Sequence, residues 1–424
     1  MKKALLSFIS ILTVIVFVCS CDMNSADIKP KKSPAKIYSL IPDVEKDYKG
    51  IESYIAKCLR NKQSKIDIFK YGVSIDDFPQ VYRSAIFTNP DIFYVDAATF
   101  NYDHDKNKII YYVYPEYIVN KKEISDYIDK FDKAVNDFLK EVDNRQSDLE
   151  KALTIHDKII CDCEYTSGEG IVYTAYGALV NGEAVCEGYA RAYSYLLYKA
   201  GISNKCIDNG SEYHCWNLVH LGKNWYHVDL TDDDPMPDTC GYVSHEYFLI
   251  SDTKLNSYKS DKHKGFKSDV TYKKEFRCSS ATYDSSFFRD ILSRVYIKDN
   301  AYYFIDNNYR NKRYSAFIVR ESNKNKVLKT VKDRWFSSDN KEYANSFSKL
   351  CYLDGYFFYN SPESIYSYSI ESGKFKQVYN SPQNESNDFY GIMTSGKYIV
   401  AEKKKSPTEK GTREQILCIN KKIR

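Results

Sequence analysis

The chain has 424 residues and a mass of 49.3 kDa, enough for two or three domains and a sizeable buried core. Its 61 basic and 57 acidic residues nearly cancel, to +4, which excludes the concentrated basic face of a nucleic-acid binder, and 43% hydrophobic content excludes wholesale disorder. The 40 tyrosines against 3 tryptophans favour strands and half-exposed surfaces.

Lys2 and Lys3 precede an apolar run, Ala4 to Val18, that ends in Val18-Cys19-Ser20-Cys21. A short basic region, an apolar stretch and small residues read as a signal peptide over 1–21, too short and wrongly flanked for a membrane span. The ending resembles the bacterial lipobox, in which a small-residue triplet precedes a Cys that takes the lipid. Cys21 fits that place, whereas Cys19 is an unusual occupant of the triplet. The resemblance implies lipidation at Cys21, an extracytoplasmic location and attachment to a bacterial membrane through the lipid. The polar, proline-containing stretch 22–38 reads as a tether.

The next part, 39–146, reads as an N-terminal α+β packing domain. Asn89-Pro-Asp-Ile-Phe-Tyr-Val95 begins as a turn and enters a strand. Ile109 to Tyr114 forms its partner across a polar loop at 103–107. Apolar residues from Ile124 to Val142 recur at helical spacing.

The middle part, 147–252, opens on Ser147-Asp-Leu-Glu150, a capping box. Leu149, Leu153, His156, Ile159 and Ile160 share one helix face, where His156 reads as structural. The turn-rich stretch from Gly177 to Gly182 leads into a second helix from Cys186 to Ala200, with Gly201 as its stop. Cys186 therefore falls at a helix N-terminus, where unpaired N–H groups and positive partial charge favour the thiolate. Gly182 and Gly188 leave room there for backbone and substrate to come close. Strand-like runs on either side of Gly222-Lys223 predict a hairpin with Leu221 facing Asn224. In that register His214 and Asp229 lie on one face, a diagonal step apart. A carboxylate beside an imidazole fixes its tautomer and stabilises the imidazolium.

Three blocks in order carry a specific resemblance: Gly182-Glu-Ala-Val-Cys186-Glu-Gly-Tyr-Ala190, Tyr213-His-Cys-Trp-Asn217 and Trp225-Tyr-His-Val-Asp-Leu-Thr231. They are similar to the transglutaminase-like superfamily, across about a quarter of the chain. The resemblance implies a papain-like core, with Cys186 as nucleophile, His214 as general base and Asp229 as the residue that orients it. One departure is Asp232, where bacterial relatives often have Trp.

Ten cysteines follow Cys21, with no CxxC pair, so most read as small buried hydrophobes, and no metal site is expected. The lysine-rich stretch 253–279 reads as a connector with few buried contacts. In 280–424, Tyr296 to Ile305, Tyr352 to Tyr359 and Met393 to Ala401 repeat a strand, tight turn and strand, and Ile365 to Phe375 adds a further hairpin. This reads as a β-rich, propeller-like repeat module, with too few units for a closed propeller.

The expected fold class is therefore α+β. It comprises a papain/transglutaminase-like core, an N-terminal α+β packing domain and the C-terminal repeats. The expected function is cysteine-dependent acyl transfer at amide bonds through a thioester, without a cofactor, on cell-surface proteins or peptides. Transglutaminase and peptidase outcomes share that mechanism and stay open. Tyr176 is a guess for a second oxyanion donor beside the backbone N–H of Cys186. The rival reading is a non-catalytic surface binding lipoprotein that retains the fold.

Overall fold

The computed structural model describes residues 34–40, 50–209, 213–268, 272, 274–310, 314–336, 341–382 and 387–418. Cys21 and the signal segment lie outside the described residues. The fold is α+β. Among the described residues, no helix is long and apolar enough to cross a membrane.

The chain enters on β1 (Ile37–Tyr38), which pairs parallel with a later strand of the central sheet. The last residues of the expected tether are thus structural, and the Tyr38 ring meets Trp225 and Phe276 edge-on at 5.3 and 5.2 Å. The N-terminal part holds α1 (Ile51–Arg60), β2 (Ile66–Asp67), α2 (Phe78–Phe87), β3 (Val95–His104), β4 (Ile110–Tyr117) and α3 (Ile124–Leu139). Its sheet has the order β2-β4-β3, with the expected β3–β4 hairpin.

The middle part starts with α4 (Asp148–Asp162). Ser147 accepts from the N–H of Glu150 while the Glu150 side chain returns to the Ser147 N–H, so both halves of the capping box form. After β5 (Glu164–Tyr165), a π turn at Gly177–Asn181 and β6 (Glu183–Ala184) comes α5 (Cys186–Lys199). The strands β7 (Asn204–Asn209), β8 (His214–Leu221) and β9 (Asn224–Val228), then α6 (Leu230–Asp233) and β10 (Phe248–Ile250), complete a sheet of order β1-β7-β8-β9-β10. Leu221 faces Asn224 as expected, with Gly222 at φ +63° in the first turn position. Cys206 and Asn217, on β7 and β8, both bond the Ala190 carbonyl, which fixes α5 across the sheet.

Gly188 serves packing, not substrate approach. A Cβ there would stand 2.5 Å from the Val172 carbonyl, so only glycine lets the 170–174 turn lie against α5.

The stretch 253–279 is not a loose connector. It forms α7 (Asp252–Ser257) and then buries His263, Ser268, Phe276 and Cys278. Asp252 gathers this stretch by accepting from the Ser268 hydroxyl and the Cys278 N–H. Lys259, Lys262, Lys264, Lys267 and Lys274 face outward, while apolar residues between them close the sheet edge around Trp225.

Three antiparallel meanders follow in chain order: β11 (Tyr296–Lys298) to β14 (Lys324–Val331) through β12 (Ala301–Asp306) and β13 (Ser315–Glu321); β15 (Leu350–Leu353) to β18 (Phe375–Asn380) through β16 (Tyr356–Asn360) and β17 (Ser364–Ser369); and β19 (Asp388–Ser395), β20 (Tyr398–Lys404) and β21 (Thr412–Cys418). The three repeated hairpins are the first two strands of each. The first meander shares its core with the rest of the chain: Phe288, Val295, Phe304 and Ile318 join the cluster that holds Phe93, Leu153 and Tyr193.

Candidate functional site

Cys186 is the first residue of α5, half-buried, with its thiol 3.9 Å from the Tyr213 carbonyl. His214 opens β8, and Asp229 follows β9 as the N-cap of α6. The structure brings all three together. His214 Nε2–H donates to Asp229 Oδ2 at 2.5 Å, which leaves Nδ1 for the thiol. Asp229 Oδ1 is held by the N–H and hydroxyl of Thr231 (3.1 and 2.7 Å) and the N–H of Asp232 (3.3 Å). The short helix α6 thus fixes the carboxylate that fixes the imidazole. The Trp216 ring stacks on His214, with centroids 5.8 Å apart and planes at 24°.

The electrostatics favour an ion pair. Hydrogen bonding from the Cys215 thiol, with burial opposing it, and then the bond and charge of His214 lower Cys186 to about 4. Burial works against charge on His214, but the charge and hydrogen bond of Asp229, and then Cys186, push it up to about 10. Burial likewise penalises charged Asp229, and the neighbouring imidazoles His214 and His263 outweigh it and hold the carboxyl well below its ordinary range. Between those limits the stable form is thiolate beside imidazolium, the state in which a cysteine is nucleophilic and a histidine can give a proton.

Three residues of this environment escape the sequence reading. His263, from the lysine-rich stretch, donates through Nε2 to the same Oδ2 of Asp229 at 2.8 Å. Cys215 lies beside Cys186, and its thiol is 3.6 Å from Asp208 Oδ1. Arg83, on α2, reaches Glu187 Oε2 at 3.0 Å and Asp208 Oδ2 at 2.7 Å. The apolar spacing around Phe266, Tyr272 and Phe276 was the one signal that 253–279 is packed.

Tyr176 does not reach this site. Its ring sits against Phe93, Tyr127 and Phe131 and lines a separate cavity. His156 is buried in another network, with Nδ1 on Asp157 at 2.9 Å and Nε2 on Asp233 at 3.2 Å, in keeping with a structural role. Asp232, in place of the expected Trp, forms an ion pair with Lys262.

The ten described cysteines are free thiols, and seven of them are buried. Among the described residues, three groups have the distances of a metal site: His214 with Asp229, Asp232 and His263; His156 with Asp157 and His245; and His227 with Asp252 and Cys278. In each, imidazole N–H groups already donate to carboxylates, so protons account for these contacts.

Cys186 and His214 line a hollow of about 160 Å³ together with Tyr165, Tyr213, Thr231, Met236 and Lys262. Tyr213 and Met236 are 92% and 76% exposed, large apolar surface at the mouth of the hollow. Tyr165 and Met236 also line an adjoining hollow of about 450 Å³. Glu402, Lys410 and Arg413 of the last meander line it too.

Residues 136–230 match the family model of the transglutaminase-like superfamily, a span that contains Cys186, His214 and Asp229. The chain thus carries a transglutaminase-like domain. A solved structure, the crystal structure of a TGase, aligns at 12% identity and TM-score 0.22 over 31% of this chain. The chain spans 44% of that protein's length. No curated protein matches the chain.

Proposed function

We propose that this chain is an extracytoplasmic, lipid-anchored enzyme that performs cysteine-dependent acyl transfer at amide bonds of cell-surface proteins or peptides. The observation that carries this reading is the alignment of Cys186, His214 and Asp229, with His214 Nε2 bound to the carboxylate and Nδ1 left for the thiol.

The Cys186 thiolate attacks the carbon of a carboxamide or peptide carbonyl. The oxygen takes up the negative charge, for which the backbone N–H of Cys186 at the helix start is a donor. The tetrahedral adduct collapses, the C–N bond breaks, and His214 Nδ1 delivers its proton to the leaving amine or ammonia. A thioester on Cys186 remains. Water or a primary amine then loses its proton to His214 and attacks the thioester, which returns the thiolate and imidazolium. Asp229 keeps the imidazole oriented and offsets its charge in both halves. The exposed Tyr213 and Met236, with the adjoining hollow, suit a polypeptide better than a small amide.

A thiol-directed probe and a peptide library, followed by mass spectrometry with and without a primary amine, test the reaction. Probe labelling at Cys186 that depends on His214, with cleavage, deamidation or cross-linking of library peptides, is the expected result. Absence of both favours a binding protein that kept the fold. For the anchor, Cys21→Ser is expected to release the protein from the membrane fraction. If that variant stays membrane-bound, the lipid reading fails.

A further inference from the structure

We propose that His263 is a positioning residue of the Cys186 site, a second imidazole that shares the carboxylate of Asp229 with His214 and sets how strongly His214 holds its proton. The inference rests on the acyl-transfer reading above and adds a member to that site.

Asp229 Oδ2 has His214 Nε2 at 2.5 Å and His263 Nε2 at 2.8 Å. An ionised carboxylate only accepts, so both rings carry their proton on Nε2. The far side of His263 agrees with this tautomer. Its Nδ1 is buried without a partner, and the nearest carboxylate oxygen, Asp232 Oδ2, stands 3.8 Å away in a side chain that pairs with Lys262. With no acceptor in hydrogen-bond reach, an N–H at Nδ1 would be left unpaired, at a cost of about 1–3 kcal/mol.

The ring is held on every side. Trp216 meets it edge-on at 4.9 Å, Tyr247 lies 5.4 Å away at 31°, and His214 stands at 5.2 Å and 79°. The backbone that carries it is fixed as well, because Asn209 donates to the Lys262 carbonyl at 3.2 Å. The titratable groups facing it are therefore His214, His227, Asp229, Asp232, Lys262 and Tyr247. The pairing of Asp232 with Lys262 anchors the turn that delivers His263.

Asp229 does not need His263 to stay in place, since Thr231 and the Asp232 N–H already hold Oδ1. What the second donor changes is the charge left on Oδ2. Each N–H that donates to a carboxylate stabilises the anion and weakens its hold on any other proton nearby. With His263 in place, Asp229 still supports imidazolium on His214, but less strongly. That keeps His214 acidic enough to protonate a leaving amine. Without it, imidazolium persists to higher pH and gives up its proton more slowly.

The test follows iodoacetamide alkylation of Cys186 against pH in the full chain, read by peptide mass spectrometry. His263→Phe keeps a ring against Trp216 and removes the donor, while His263→Gln keeps an N–H donor and removes the imidazole. The upper limb of the profile, where imidazolium is lost, is expected to move up by about one pH unit in His263→Phe, the scale of one hydrogen bond to a charged group. His263→Gln is expected to restore it towards the wild-type profile. If the unmodified Cys186 titrates like a free thiol, near about 8.5, the acyl-transfer reading itself falls. If its thiol is depressed but His263→Phe leaves both limbs in place, only the role of His263 is overturned. Should the Phe variant not fold, ¹⁵N NMR of the wild-type histidines decides. A proton on Nε2 of His263 supports the proposal, and a ring protonated on Nδ1 alone refutes it.

Discussion

Arg83 Nη2 lies 3.0 Å from Glu187 Oε2, so a helix of the N-terminal part holds the residue next to Cys186. Its Nε holds Asp208 at 2.7 Å, the carboxylate beside the Cys215 thiol. Burial raises Glu187 above its ordinary range despite Arg83 and Arg191. The N-terminal part thus supports the start of α5 electrostatically.

Removing Arg83 is expected to leave a buried acid with Arg191 alone at 3.3 Å. Arg83→Met should cost up to about 3–5 kcal/mol in urea unfolding, the scale for breaking a buried ion pair from one side. Arg83→Lys should recover only part, since an ammonium cannot span both carboxylates as a guanidinium fork does. Equal stability of the Met variant and the wild type would show that Arg83 is dispensable.

His156 gives the fold an alkaline limit. Burial opposes its charge, yet the bonds to Asp157 and then Asp233 push it up to about 9. A histidine raised from its ordinary value of about 6.5 stabilises the fold fully below that value and loses the contribution as pH rises through about 9. The shift corresponds to about 3 kcal/mol. His214, raised to about 10, acts with the same sign at the upper end of the window. Melting temperature should therefore fall from pH 6.5 towards 10, and fall less steeply in His156→Gln. Parallel curves for the two proteins would remove His156 from this account.

The local signals in the sequence proved reliable where they specify geometry. Ser147 and Glu150 form the capping box, Gly222 takes the hairpin turn, and that turn puts His214 and Asp229 on one face. The repeated Tyr-rich hairpins became the leading strands of three meanders. What the pattern did not reveal depends on long-range packing. His263 is 34 positions from Asp229, in a run whose lysines read as solvated, and no local spacing links the two. Arg83 is 104 positions from Glu187. Ile37 and Tyr38 look like tether until β7 provides a parallel partner.

The C-terminal repeats are expected to be needed for folding. Val295 N–H donates to the buried Asp157 at 2.7 Å, His245 Nδ1–H donates to the Ile291 carbonyl at 2.9 Å, and Arg294 pairs with Glu141. A chain that stops before 280 leaves Asp157 and its core neighbours short of these partners. It is expected to lose the cooperative thermal transition of the full chain and to bind a hydrophobic dye. A sharp, reversible transition in such a fragment would mean that residues before 280 close their core alone.

The three residues at the site are expected to act as a unit. Cys186→Ala should abolish turnover, because the neighbouring Cys215 thiol is buried against Asp208 and does not line the hollow. Cys186→Ser should be nearly as inactive, since a hydroxyl is much harder to ionise than a thiol. His214→Ala removes both the proton carrier and a cation that stabilises the thiolate. The alkylation limb of Cys186, about 4 in the intact site, should therefore move up towards the value of a free thiol. Asp229→Asn keeps the shape but loses the charge and presents an amide that can favour the wrong tautomer of His214, so turnover should fall by up to about 10⁴. The double variant lacking Cys186 and His214 should be little worse than either single one, as for members of one catalytic unit. The measurements are alkylation rates against pH and turnover of whichever library peptide reacts. Multiplying, independent losses in the double variant, or an alkylation limb that His214→Ala does not move, would separate Cys186 from His214 and leave a fold without the chemistry.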